Sequence, residues 1–247
     1  MPRVVNATSP EELTAAASQK HRNPGSGPEF SSASQLVIFF YLLAYNQVSF
    51  LGWFWVFYTT VYQLVTTQQY ADVHEMAWPA LIIVQSGAFI EIINSALGFV
   101  RAPVVTTGLQ VVSRLFLVWG VNYMFPEVRS HWSFSTMMIA WSIAELVRYS
   151  YYACNLLGQV PRILTWARYN LFLILYPTGV GSELMMVYVA LPFAKAWNVN
   201  YYYFLIVASL VYLPGFPVLF SHMLAQRKKY LKGTHLVAEK KKQKKAQ

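Results

Sequence analysis

"NLFLILYPTGVGSELMMVY", Asn170 to Tyr188, is apolar along nearly its whole length, yet it carries a proline, two glycines and one carboxylate, Glu183. A run of this length, helical at 1.5 Å per residue, crosses the roughly 30 Å hydrocarbon core of a bilayer. The same kind of run recurs along the chain. Apolar stretches lie at 37–62, 77–100, 103–125, 134–152, 166–191 and 201–224. They are continuous rather than alternating, which selects helices over barrel strands, because backbone groups in lipid must pair within their own segment. The expected fold is all-α: a polytopic membrane protein with a bundle of six transmembrane helices. Its divisions are a disordered polar tail at 1–34, a six-span catalytic domain at 35–225 and a basic tail at 226–247.

Composition agrees. With 56% hydrophobic and only 12% charged residues, a chain of 247 residues is too apolar for an ordinary soluble domain. The formal charge of +9 comes largely from the C-terminal run "QRKKYLKGTHLVAEKKKQKKAQ", which belongs beside membrane lipid rather than on nucleic acid. Cys154 is the single cysteine, which excludes an internal disulfide and a multi-cysteine metal site. The histidines are scattered without ligand spacing, so the expectation is a reaction with no metal and no cofactor. The first thirty or so residues lack the apolar centre of a signal peptide, so the first span is expected to be its own anchor.

Both tails, Arg101 and the loop holding Arg162 and Arg168 fall on one side of the membrane, whereas only Arg129 and Lys195 fall on the other. Positive charge marks the cytosolic side, so both termini are expected in the cytosol. Lys244 and Lys245, followed by two further residues, then match a dilysine signal for retrieval to the endoplasmic reticulum membrane. The "NAT" at Asn6 is a glycosylation pattern that a cytosolic tail would never expose to the transferase.

Charged side chains within the spans are costly unless paired or facing a polar cavity. Glu91, Arg114, Glu145, Arg148 and Glu183 are the residues concerned. Counting outward from the connecting loops puts Glu91, Arg114, Glu145 and Tyr176 on one level. Glu91, Arg114 and Glu145 read as an ion-paired structural network, with Arg148 either joining it or snorkelling to the surface. Glu183 has no basic residue within a helical turn of it in sequence.

Tyr176 and Glu183, seven residues apart, project from one helix face roughly 10 Å apart along the axis. Pro177 and Gly179 between them are expected to break the helix and let a ligand approach. A phenol and a carboxylate in low dielectric suit removal of a proton from carbon and delivery of one to a neighbouring oxygen. Which of the two is acid and which is base stays open at this level. Arg162 and Arg168 read first as positive-inside topology signals, and on charge and side alone they are also candidates for the phosphates of an anionic head group.

"WARYNLFLILYPTGVGSELMMVYVALPF", with "GAFIEIINSALGFV", "LQVVSRLFLVWGV" and "IAELVRYSYY", resembles the very-long-chain (3R)-3-hydroxyacyl-CoA dehydratases, also called the protein tyrosine phosphatase-like family. The resemblance runs from the first span to the last. It implies dehydration of (3R)-3-hydroxyacyl-CoA to trans-2-enoyl-CoA in microsomal fatty-acid elongation, with Tyr176 and Glu183 as the catalytic pair. It also implies the elongase condensing enzyme, the ketoacyl-CoA reductase and the enoyl-CoA reductase as partners. Two other classes stay in view: a small membrane carrier built on a broken helix, and a non-catalytic scaffold of the elongase complex. A phosphatase is excluded chemically. In "SALGFVR" the position a Cys-x5-Arg loop needs for its thiolate holds Ser95.

Overall fold

The computed structural model describes residues 32–100 and 102–245, with 232–245 as backbone only. Arg101, Asn6, nearly all of the expected N-terminal tail and the side chains of Lys244 and Lys245 lie outside the described residues. Among those described, the chain is all-helical. The elements are α1 (Ala33–Thr67), α2 (Val73–Gly87), α3 (Phe89–Ala96), α4 (Val104–Leu115), α5 (Trp132–Leu156), α6 (Arg162–Asn170), α7 (Phe172–Trp197) and α8 (Val199–Lys245). Five stretches are long and apolar enough to cross a membrane: Ala33–Thr67, Tyr70–Ala96, Val104–Tyr123, Phe172–Trp197 and Val199–Leu231. Their outward faces stay apolar, with Val48, Val105, Ile174 and Leu213 each about two-thirds exposed or more. A surface of this kind faces lipid rather than water.

α5 is different. It is 25 residues long but polar, and it is buried on almost every side, from Phe134, Met137 and Met138 through Trp141 and Glu145 to Tyr149. It sits between α1 and α7; α2 packs on α1 and reaches α5 through Trp78 and Phe134, and α8 packs on α7. The α5–α7 seam is antiparallel and polar. Ser133 donates to the Met186 sulfur (2.9 Å), Thr136 and Ser182 share a hydroxyl hydrogen bond (2.7 Å), and Trp141 reaches Glu183. Within a bilayer such bonds, rather than a hydrophobic drive, hold helices together.

Three local features depart from straight helices. Tyr70–Ala96 bends at Ala88, whose N–H bonds the carbonyls of both Val84 and Gln85, so α2 and α3 are separate helices within one stretch. After Arg114 the fourth helix widens into a π turn, Phe116–Tyr123, where the Asn122 amide donates to the Leu117 carbonyl (2.8 Å) and Tyr201 donates to the Gly120 carbonyl (2.7 Å). The third is a correction. The expected helix break at Pro177 does not occur, since α7 runs unbroken through it, and the interruption falls upstream at Leu171, which separates α6 from α7. A proline removes one backbone bond, to the carbonyl four residues earlier, and neighbouring packing absorbs that loss. At the other end α8 continues past residue 225 as helix to Lys245.

α1 and α2 are in close contact at Gly52, where an added Cβ would run into the Val84 side chain. Gly52→Ala is expected to lower stability by about 1–3 kcal/mol through overpacking, and Val84→Ala in the same chain to restore most of it. Thermal unfolding of the three variants in detergent micelles tests this. A double variant no more stable than Gly52→Ala would place the strain elsewhere.

Candidate active site

Glu183 lies in the middle of α7 and is 9% exposed. Its two oxygens take one donor each: the Trp141 indole N–H gives to Oε1 at 2.9 Å and the Tyr212 hydroxyl gives to Oε2 at 2.9 Å. The donors come from different helices, α5 and α8, so the carboxylate is pinned from both sides. Gly179, one turn earlier on α7, borders the same indole, with an added Cβ there 3.9 Å from the ring.

Trp141 also connects Glu183 to charge. The Arg114 guanidinium lies over its ring, 4.2 Å from the centroid. Arg114 pairs with Glu145. Arg148 then bridges Glu145 (2.5 Å) and Glu91, gripping the latter with two N–H groups at 2.7 Å each. The Tyr149 hydroxyl closes the chain on Glu91. A single polar layer thus runs from Glu91 on α3 to Tyr212 on α8, threading α5 and α4 on the way. It holds three carboxylates (Glu91, Glu145, Glu183) against two guanidiniums (Arg114, Arg148), leaving one negative charge in excess. Both arginines are committed to Glu91 and Glu145. Among the described residues no salt bridge involves Glu183, so it is the carboxylate left with neutral donors alone.

The layer differs from the level expected by counting along the sequence. Glu91 pairs with Arg148 and Tyr149 rather than with Arg114. Tyr176 lies outside the layer and Glu183 takes its place. Straight antiparallel rods underlie the counting, whereas the bend at Ala88 and the π turn after Arg114 shift depth and rotational phase. Arg148 does not snorkel: its side chain is 26% exposed and bonded inward.

Tyr176 is half-buried. Its ring stacks on Phe216 (centroids 5.2 Å, planes 14° apart) and on Phe220 (6.0 Å, 10°), both on α8. Among the described residues no hydrogen bond engages its hydroxyl, which keeps its donor for a ligand. Arg168 lies with its guanidinium over the Tyr151 ring (4.3 Å) and the Tyr152 ring (5.0 Å), and Arg162 is exposed at the start of α6. Two contributors escaped the sequence: Trp141 and Tyr212. The one available hint is that a Trp or Tyr inside a span carries a polar hydrogen that needs an acceptor.

A family model described as "Protein tyrosine phosphatase-like protein, PTPLA" matches residues 85–233, which takes in every residue of the polar layer. The chain belongs to this family. The chain is also similar to the very-long-chain (3R)-3-hydroxyacyl-CoA dehydratase PASTICCINO 2A of Oryza sativa subsp. japonica, 40% identical over 77% of this chain and 92% of its own length. It is similar as well to very-long-chain (3R)-3-hydroxyacyl-CoA dehydratase 2 of Homo sapiens, 39% identical over 78% of this chain and 82% of its own. No solved structure matches. Despite the family name, Ser95 stands at the nucleophile position of a phosphatase loop, and its hydroxyl is committed to the Ala102 carbonyl at 2.6 Å.

Removing Arg148 would leave Glu91 and Glu145 buried with one guanidinium between them. Arg148→Met is therefore expected to lower stability by about 3–5 kcal/mol, the cost of an uncompensated buried charge. Tyr149→Phe removes a single donor and is expected to cost about 1–3 kcal/mol. Thermal midpoints in detergent check the order, and equal effects would mean that the layer is not held by ion pairing.

Proposed function

We propose that this chain removes water from a long-chain (3R)-3-hydroxyacyl-CoA to give the trans-2-enoyl-CoA, the third step of microsomal very-long-chain fatty-acid elongation. The observation that carries the assignment of roles is the charge imbalance of the polar layer. Glu183 is the carboxylate with no cation bound, and it shares a helix face with a phenol whose hydroxyl is unengaged. An ionised carboxylate has about four acceptor positions, so after the bonds from Trp141 and Tyr212 each oxygen of Glu183 retains one. Glu183 takes the proton from C2, the C–H electron pair becomes the C2=C3 double bond, and the C3–O bond breaks. Tyr176 gives its proton to the departing hydroxyl, which leaves as water. Transfer of the proton from Glu183 back to the tyrosinate resets the pair. The opposite assignment would require Glu183 to arrive protonated, and the indole N–H of Trp141, which can only donate, together with the Tyr212 hydroxyl favours the carboxylate.

The same proposal includes the topology. α5 is 25 residues long, enough to cross, and its polar side chains are screened by α1 and α7. With it the spans number six, and the distribution of Arg and Lys then puts both termini in the cytosol. The acyl chain lies among the spans, and the CoA head stays at the cytosolic mouth near Arg162 and Arg168. A guanidinium stacked by its face, as that of Arg168 is, keeps its in-plane donors for phosphate. The endoplasmic reticulum membrane, and the condensing enzyme and two reductases of the elongation cycle as partners, complete the assignment.

Purified protein in detergent, given a long-chain (3R)-3-hydroxyacyl-CoA, is expected to release the 2-enoyl-CoA. Well-folded Tyr176→Phe and Glu183→Gln are each expected to lose at least about 100-fold in kcat, the typical contribution of a positioned proton-transfer group. Detergent abolishes compartments, so turnover there excludes a pure carrier. No turnover at any chain length would favour a scaffold, and activity surviving both substitutions would move the site.

A further inference from the structure

Tyr212, Phe216 and Phe220 are spaced four residues apart on α8 and therefore form one stripe along that helix. All three side chains meet the pair on α7. Tyr212 donates to Glu183 Oε2 at 2.9 Å. Phe216 and Phe220 stack on the Tyr176 ring and on each other (5.5 Å, 10°), so that three rings from two helices lie nearly parallel. Tyr176 and Glu183 project from one face of α7, and this stripe of α8 packs against that face, with Trp141 of α5 beside it at Glu183.

Resting on the dehydratase reading, we infer that this stripe is a positioning rail for the catalytic pair, with Tyr212 orienting Glu183 and Phe216 orienting Tyr176. A carboxylate held by a single donor can turn about its terminal torsion, which is broad and nearly unhindered. The second donor, from a different helix, fixes its plane and so fixes where the remaining lone pair on each oxygen points. A phenol ring set against one aromatic ring can slide, whereas two rings that each lie nearly parallel to it, at 5.2 and 6.0 Å, define its plane. Catalysis by two groups acting on adjacent atoms depends on such geometry, because displacements near 1 Å cost on the order of 100-fold in rate. None of the three stripe residues is charged, and none belongs to the ion pairs that hold the bundle. Their loss is therefore expected to appear in turnover before it appears in stability.

The test is steady-state kinetics of purified protein in detergent with a long-chain (3R)-3-hydroxyacyl-CoA, alongside thermal midpoints. Tyr212→Phe is expected to lower kcat about 10- to 100-fold, with KM changed by less than about twofold, and to lower the midpoint no further than Tyr149→Phe, which likewise removes one phenol donor from a carboxylate of the layer. In a Glu183→Asp background, where the carboxylate is one methylene short of the Tyr212 hydroxyl, the same substitution is expected to add little, because the two residues act as a unit. Phe216→Leu is expected to lower kcat several-fold in the parent and to add nothing to Tyr176→Phe, while Phe216→Tyr, which keeps the ring, retains parental turnover. Parental kcat in Tyr212→Phe and Phe216→Leu, with Glu183→Gln and Tyr176→Phe inactive, would overturn the rail and leave the dehydratase intact. Losses that add fully in the Glu183→Asp background, or that follow the thermal midpoint, would also overturn it. If Tyr212→Phe were as inactive as Glu183→Gln while Tyr176→Phe kept turnover, Tyr212 would be the acid itself and the rail would again fail. A parent with no turnover at any chain length would bring down both readings together.

Discussion

Two guanidiniums set against three carboxylates inside a slab of hydrocarbon is the constraint around which this molecule is arranged. Each charge is too costly to leave alone in lipid, so Arg114, Arg148, Glu91 and Glu145 must find one another, and in doing so they bind α3, α4 and α5 at one depth. The third carboxylate is brought to the end of that chain by Trp141, which offers Arg114 its ring face and Glu183 its N–H. Glu183 is thereby located by the ionic network without being neutralised by it. A carboxylate paired to a guanidinium is a strut; one that rests on an indole and a phenol can still exchange a proton with a ligand.

The rest of the bundle follows from keeping water and lipid in their places around that layer. α5 carries Trp141, Glu145, Arg148 and Tyr149 of that layer and is enclosed on nearly all sides, and its Ser133, Ser135 and Thr136 bond to neighbouring segments in place of solvent. α1, α7 and α8 show apolar surface outward and their few polar contacts inward. The ion pairs, the α5–α7 seam and the aromatic stack of α7 on α8 each tie a different pair of helices. The proposed site sits on α7, where the layer and the stack meet.

Five of the expected spans were legible in the sequence because lipid imposes a simple rule: a helix must be long and apolar enough to satisfy itself. Glu91, Arg114, Glu145 and Arg148 were legible for the converse reason, since charge in such a run needs a partner. Which charge pairs with which was not, because partnership depends on rotational phase, and the bend at Ala88 and the π turn at Phe116–Tyr123 reset that phase without a proline to announce it. Pro177 announced a break that packing absorbed. Trp141 and Tyr212 were invisible for a different reason. In a chain that is 17% aromatic, a ring that donates to Glu183 looks the same as one that faces lipid until the neighbouring helix is in place.

The central claim is that the reacting carbons lie between Glu183 and Tyr176, with the carboxylate on the C2 side. An experimental structure of the Glu183→Gln variant holding a long-chain (3R)-3-hydroxyacyl-CoA measures this directly. The account predicts C2 within about 3.5 Å of the residue 183 side chain and the 3-hydroxyl within hydrogen-bond reach of the Tyr176 oxygen, as near-attack geometry requires. The 3-hydroxyl on residue 183 and C2 against Tyr176 would reverse the roles, and a thioester bound away from both would contradict the account.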